Sequence, residues 1–376
     1  MELLKKVFYV LTHSIELYNL TPRLYSNYDA YPHSYCKIAS HLGYTPILAY
    51  LSLSVKNRLL LTHKYGHTMI AYPVNLNRGR FGYEVSRSLV EDMLRCSADI
   101  IHVHSYYLLM YDLIALTKKI NNKPVIAHYH GGTPDMLLLP FRPLKRVSLS
   151  LADKIITINK TELNRLQDYW KVPKENIEYV PNGVNTDLFK PLSDVKKNKN
   201  EILFVGNLVK AKGIELAVSS FIKCKSEFKD LKLTLVGQGY MRPVIEEQMK
   251  RLGIKDVTFL GALNHEQLNI VYNKATVTVF PSKKEGLPLA LLESMSSGTP
   301  VVSAINDGSR DIVSNRVDGL LINQDGTKAF SEAISDLLSN AHLQTMMSRN
   351  SRRKVVENFS QEFVSKRIKQ IYESLS

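Results

Sequence analysis

Short apolar or β-branched runs alternate with helix-like stretches along almost the whole chain, and that alternation restricts the possible folds more than any other feature. The runs are VFYVLT, TPILAYLS, TMIAYPV, DIIHVHS, PVIAHYH and KIITIN, then EILFVGN, LKLTLVG, DVTFLG, ATVTVF, TPVVSA and GLLIN. Stretches such as HSYCKIASHLG and SRSLVEDMLRCSA lie between them. This rhythm predicts βαβ units, hence parallel sheets with helices on both faces. It stops at PLSDVKKNKNE, residues 191–201, and then restarts. We read an α/β chain of two doubly wound, Rossmann-like domains, residues 1–190 and 201–355, joined by a linker over 191–200. A last helix over 356–376 is left over, with packing back on the first domain as one option. Open parallel sheets bind ligands at the carboxyl ends of their strands, so a cleft between two such domains is the expected site.

A length of 376 residues suits two domains, and 44% hydrophobic with 22% charged residues excludes a disordered chain. Cys36, Cys96 and Cys224 are far apart and form neither a metal spacing nor a disulfide framework, which suggests a reducing, cytoplasmic setting. The start, MELLKKVFYVLTHS, reads as a first buried strand rather than a secretory leader, and no apolar run is long enough to span a membrane. Both halves are basic: residues 1–190 carry 23 Lys/Arg against 15 Asp/Glu, and the remainder 26 against 20. A positive field favours phosphorylated ligands, anionic membranes or nucleic acid. No nucleic-acid motif accompanies it, so phosphate-bearing small molecules and lipid headgroups are the better candidates.

The stretch EGLPLALLESMSSGTPVV, Glu285 to Val302, embeds two carboxylates in an apolar, small-residue context. The strand ATVTVF precedes it, Pro288 suits a first helical turn and Gly298 a helix end. Glu285 then lies in a loop past the strand's carboxyl end, and Glu293 on the helix. Ala290, Ser294 and Ser297 share the stripe of Glu293, while Leu291, Leu292 and Met295 face a core. Small neighbours leave room for a ligand beside a long acid. On spacing alone, Glu293 also reads as a solvated helix glutamate.

EGLPLALLESMSSGTPVV resembles the E-x7-E signature of the retaining glycosyltransferases of family 4, whose fold is GT-B. VPNGVNTDLFKP (180–191) is similar to that family's domain junction, and FVGNLVKAKGIELAV (204–218) to the opening of its nucleotide-binding domain. LTLVGQG, DVTFLGALNHEQL and RVDGLLI follow in the family's order. The resemblance implies a nucleoside diphosphate sugar as donor, a hexose transferred with retention, and a glycan or lipid-linked acceptor. It implies that Glu293 holds the ribose hydroxyls, since a carboxylate offers paired acceptors to a diol. Glu285 would face the transferred sugar, near the backbone of Gly286 and Leu287, and Lys212 would contact the diphosphate. Gly206, Asn207 and Gly237 belong to the same donor-binding series. Helix amides and a lysine stabilise the leaving diphosphate, so neither a metal nor a cofactor is expected.

His130, in HYHGG, matches the family histidine near the reacting sugar, with His128 as its rival on the same strand face. Asp135 is a candidate acceptor-side base. Two departures stand out. Asn207 occupies the place of the family's arginine, and the first loop, LTHSIELYNLTPRLYSNYDAYPHS, lacks the usual glycines. Fifteen of the twenty tyrosines precede residue 131. They suggest an acceptor groove, with Tyr28 and Tyr31 as leading candidates and Tyr25, Tyr35, Tyr106 and Tyr107 beside them. Core or surface placement is the plainer reading of the same residues. Arg142, Lys145 and Arg146, set among the leucines of MLLLPFRPLKRVSLSL (136–151), suggest peripheral contact with an anionic membrane face; a helix covering its own domain explains them equally. The departures leave an alternative, a degenerate, non-catalytic sugar- or nucleotide-binding partner subunit.

Overall fold

The computed structural model describes residues 4–28, 31–131, 142–323 and 326–375. The chain divides into two compact units, Met1–Val180 with Ser365–Ser376, and Pro181–Val364. Among the described residues the first unit builds an eight-stranded sheet in the order β3-β4-β2-β1-β5-β6-β7-β8. Its strands are β1 (Lys6–Ser14), β2 (Thr45–Ser52), β3 (Leu59–Thr62), β4 (Thr68–Pro73), β5 (Ile100–His104), β6 (Val125–His128), β7 (Lys154–Thr157) and β8 (Ile177–Tyr179). The second unit holds a six-stranded sheet, β11-β10-β9-β12-β13-β14. These are β9 (Glu201–Val205), β10 (Lys232–Val236), β11 (Val257–Gly261), β12 (Val277–Phe280), β13 (Val301–Ala304) and β14 (Leu320–Ile322). Central strands are buried on both faces, as β5 and β12 show with every residue inside. This explains why they read as continuous apolar runs. The strands pair in parallel except β3 with β4, an antiparallel edge hairpin that the sequence pattern missed. Leu59 and Leu60 of β3 are exposed, so it lacks the alternation that marks a half-buried strand.

The expected linker is built into the second unit instead of standing free. The backbone N–H groups of Lys190 and Leu192 donate to Asn269 and Asn273, one turn apart on the helix His265–Lys274. Arg352 donates to the carbonyls of Thr186 and Phe189. Residues 186–192, which lead into the expected linker, are thereby held by side-chain hydrogen bonds that a composition of lysine and asparagine does not reveal.

In the first unit the C-terminal helix Gln361–Glu373 is tied to the sheet by a closed ring of hydrogen bonds. The Tyr9 hydroxyl donates to the Tyr35 carbonyl (3.1 Å) and therefore accepts from Tyr372 (2.6 Å). Tyr372, its proton spent, accepts from His102 Nδ1 (2.8 Å), so His102 Nε2 accepts from His128 Nδ1 (2.9 Å). His128 Nε2 is left as a lone pair facing the Tyr35 hydroxyl at 3.5 Å. Each proton has one place to go, and both imidazoles are neutral.

Burial holds these rings neutral: His102 is pushed down to about 3, and His13 and His67 to about 4, from 6.5. A folded pKa below the unfolded value means that the unfolded chain takes up protons first. The stability these rings confer is therefore complete above about pH 6.5 and is lost as pH falls toward 4. The carboxyls of Glu84 and Asp112, raised by burial, pull the other way, but they are fewer. The Tm of the first unit should thus be several degrees lower at about pH 5 than at about pH 7.5. An unchanged Tm would mean that these rings are solvated.

Candidate active site

In the second unit the sequence-predicted residues gather at the carboxyl ends of β9, β10 and β12. The turn after β9 runs from Gly206 through Asn207 to a single helical turn, Lys210–Lys212, closed by Gly213 in the left-handed region (φ 72°). A Cβ at Gly213 would lie 2.3 Å from the Pro281 carbonyl oxygen, so this turn packs directly on the loop after β12. That contact delivers Lys212 Nζ to Glu285 Oε1 at 2.6 Å. The pair joins residues 73 positions apart in the chain.

The loop carrying Glu285, Gly286 and Leu287 is braced from three sides. Gly308 N–H donates to the Glu285 carbonyl (3.2 Å), and a Cβ at Gly308 would meet the Gly286 carbonyl at 2.8 Å. Asn306 caps the next helix and donates to the Ser282 carbonyl (2.8 Å). Asn182, in the PNG turn, donates to the Leu287 carbonyl (3.3 Å). These bonds fix the loop without using the Glu285 carboxylate. Asn306 was findable as an N-cap, since NDGS precedes a short helix. Asn182 lies within a recognised segment, but nothing local pointed to its partner.

Glu293 occupies the helix Leu289–Ser296. It is half-buried and not a fully solvated surface glutamate, and burial pushes its carboxyl pKa up. Tyr272, fully buried on the preceding helix, donates its hydroxyl to Oε2 at 3.0 Å, and His265 lies close enough to favour the anion. Among the described residues no other donor reaches this carboxylate. A carboxylate has roughly four acceptor sites, so most of the capacity of Glu293 is open. Ser294 and Ser297 are buried, and their hydroxyls are bonded internally, to Thr278 and Asn269. The sequence carried no signal for Tyr272, a lone tyrosine in a mixed helix.

The glycines of the donor-binding series also have a local reason to be small. A Cβ at Gly237 would lie 2.0 Å from the Gly206 carbonyl, and one at Gly239 2.2 Å from that of Leu208. The turns after β9 and β10 are stacked on each other, so the chain's own backbone fills the space those glycines save. The Asn207 side chain is exposed at the top of this stack.

In the first unit, His130 follows β6, and its Nε2 lies 2.5 Å from His104 Nδ1. The Tyr31 ring sits against it at a centroid distance of 4.2 Å. Burial and neighbouring rings keep His104, His128 and His130 neutral, well below the usual imidazole range. Of the six tyrosines weighed for a groove, Tyr25, Tyr35, Tyr106 and Tyr107 are core residues. Tyr106 and Tyr107 spend their hydroxyls on buried Glu162. Tyr28 is exposed and Tyr31 partly so. Asp135 and residues 136–141 lie outside the described residues. Lys145 does not face a membrane: it is buried against Asp112 at 2.8 Å, with side-chain exposures of 1% and 2%. Arg142 and Arg146 stay exposed on the helix Arg142–Leu151.

Two histidine trios bring three ring nitrogens within 4.8 Å of one another, His33/His63/His67 and His102/His104/His128. In each, two rings lie nearly parallel: His33 and His63 at 16° and 3.9 Å, His102 and His104 at 15° and 4.9 Å. Imidazole lone pairs lie in the ring plane, so stacked rings do not aim them at one ion. The geometry of both trios is that of packed, hydrogen-bonded imidazoles.

Two parallel-sheet units, the second with carboxylates, a lysine and glycine turns at its strand ends, have the architecture of a GT-B glycosyltransferase. The chain belongs to glycosyltransferase family 4: residues 186–354 match "Glycosyl transferases group 1" and residues 42–188 match "Glycosyltransferase Family 4". An uncharacterized glycosyltransferase of Methanocaldococcus jannaschii is 26% identical over 294 residues, 73% of this chain and 75% of the relative. Among solved structures, sucrose-phosphate synthase from Thermosynechococcus elongatus superposes with a TM-score of 0.73 at 20% identity, covering 99% of each chain. Anabaena HepE in complex with UDP superposes with a TM-score of 0.78 at 15% identity, covering 98% of this chain and all of that one. HepE has also been crystallised with UDP-glucose.

Proposed function

We propose that this glycosyltransferase moves a hexose, with retention of configuration, from a nucleoside diphosphate sugar to a glycan or lipid-linked acceptor, without a metal. The observation that carries the reading is Glu293, a half-buried carboxylate with Tyr272 as its one donor among the described residues. A ribose diol supplies the two donors such an acid lacks. Lys212 supplies positive charge for a leaving diphosphate, and the braced Glu285–Leu287 loop supplies fixed backbone groups for the sugar. By the resemblance, His130 contacts the transferred hexose. The UDP held by HepE makes uridine donors the first to try.

The test is a donor screen with UDP-, GDP- and ADP-sugars, following nucleoside diphosphate release and thermal shift, with and without EDTA. One donor should raise Tm and release its diphosphate equally well in EDTA. Glu293→Ala should weaken that donor by about 100-fold, as expected for losing two hydrogen bonds to a charged group. Donor binding unchanged in Glu293→Ala would remove the ribose assignment. Loss of turnover in EDTA, restored by a divalent ion, would remove metal independence. A thermal shift without turnover, even with lipid extract as acceptor, would favour a binding-only protein.

A further inference from the structure

His104 has no place in the reaction as described, yet it is the one side chain hydrogen-bonded to His130 among the described residues. It ends β5, is fully buried, and is walled in by the rings of Tyr9, Tyr31, Tyr35 and His102 at centroid distances of 4.9–5.7 Å. Its Nε2 has no partner among the described residues. His130, one strand over, is partly exposed, so it is the ring of the pair that can meet a ligand.

We propose that His104 is a positioning residue that fixes the His130 ring and its tautomer, so that His130 offers Nδ1–H to a hydroxyl of the transferred sugar. The inference rests on the transferase reading for its ligand, and on the geometry alone for its tautomer. Between two neutral imidazoles one nitrogen donates and the other accepts. If His130 Nε2 donated, His104 would carry its own proton on Nε2, a buried N–H with no acceptor, which is the costlier orphan. The proton therefore sits on His104 Nδ1 and points at His130 Nε2. A neutral His130 then carries its proton on Nδ1, on the side away from His104. The Tyr31 and His128 rings, with centroids 4.2 and 3.9 Å from that of His130, restrict its rotation. A sugar hydroxyl oxygen thus meets a donor already oriented, with no ring flip during the reaction.

The test reads the tautomer and the turnover separately in the full-length chain. With labelled histidine, nitrogen and carbon NMR shifts, assigned by the signal lost in His130→Asn, should report His130 as Nδ1–H. His104→Asn keeps a donor where Nδ1–H was and should preserve both tautomer and turnover. His104→Leu has no donor and should return His130 to Nε2–H, the form free histidine favours. Its kcat should fall about tenfold, the worth of one hydrogen bond, while KM for the donor changes less than about twofold. Thermal melts show that both variants fold. Nε2–H in the wild type, or full kcat in His104→Leu, overturns the proposal. Wild-type protein that transfers from no donor overturns the transferase reading instead, and the NMR arm still decides the pairing.

Discussion

Lys212→Ala should lower kcat for the cognate donor by about 100- to 1000-fold and scarcely alter Tm. The two outcomes separate because, on the proposed reading, the same ammonium does two jobs of unequal size. In the free enzyme it pairs with Glu285 at 2.6 Å, with side-chain exposures of 37% and 17%. A pair this open to water is screened, and losing it costs at most about 1 kcal/mol. In the transition state the departing diphosphate gains negative charge, and an oriented cation there is worth about 3–4 kcal/mol. Lys212→Arg should retain part of the rate, because the charge remains while its reach changes. A Lys212→Ala enzyme with kcat within about threefold of wild type would place the diphosphate elsewhere, and Lys210 would be next to test. A large fall in Tm would instead make Lys212 a structural residue.

Lys145→Met should destabilise the first unit by about 3–5 kcal/mol, although methionine fits a leucine-rich helix better than lysine does. Lys145 and Asp112 are almost fully buried, 2.8 Å apart. Lys145 also donates to the Tyr106 carbonyl, and Ser148 donates to Asp112 at 2.5 Å. Burial pushes the lysine pKa down and the aspartate pKa up, each opposed by the other's charge. With the lysine gone, Asp112 keeps only a serine hydroxyl and must take up a proton or carry an unpaired charge indoors. The double variant Lys145→Met, Asp112→Leu removes both charges and should recover most of the loss. Denaturant titration followed by a first-unit probe measures all three proteins. A single variant within about 1 kcal/mol of wild type would show that the pair is not buried in solution.

These two lysines mark the limit of what a linear pattern reveals. Lys212 stood out through the resemblance alone, and its pairing with Glu285 came from the structure. Lys145 was misleading: in the chain it is one cation of three among leucines, and membrane contact explained it as well as a helix covering its own domain. Only the packing of Leu109–Asn121 against Arg142–Leu151 turns Lys145 inward and leaves Arg142 and Arg146 outside. The tyrosines repeat the point. Their abundance suggested a sugar groove, yet four of the six weighed became core residues, of which Tyr106 and Tyr107 spend their hydroxyls on Glu162 and Tyr35 turns its hydroxyl to His128.

The sequence by itself determined most strands of the two sheets, the helices between them, and the loop-then-helix placement of Glu285 and Glu293. Strand and helix periods, proline at helix starts and glycine at helix ends are local chemistry, readable within about ten residues. The tertiary structure alone decided which groups meet. Tyr272 bonds to Glu293, Lys212 to Glu285, and His104 to His130 because the strand order sets distant loops side by side. Gly237 and Gly239 are small because a neighbouring turn presses on them. Such contacts join residues tens of positions apart, and their energy comes from removing both partners from water together. No period or spacing along the chain carries that information.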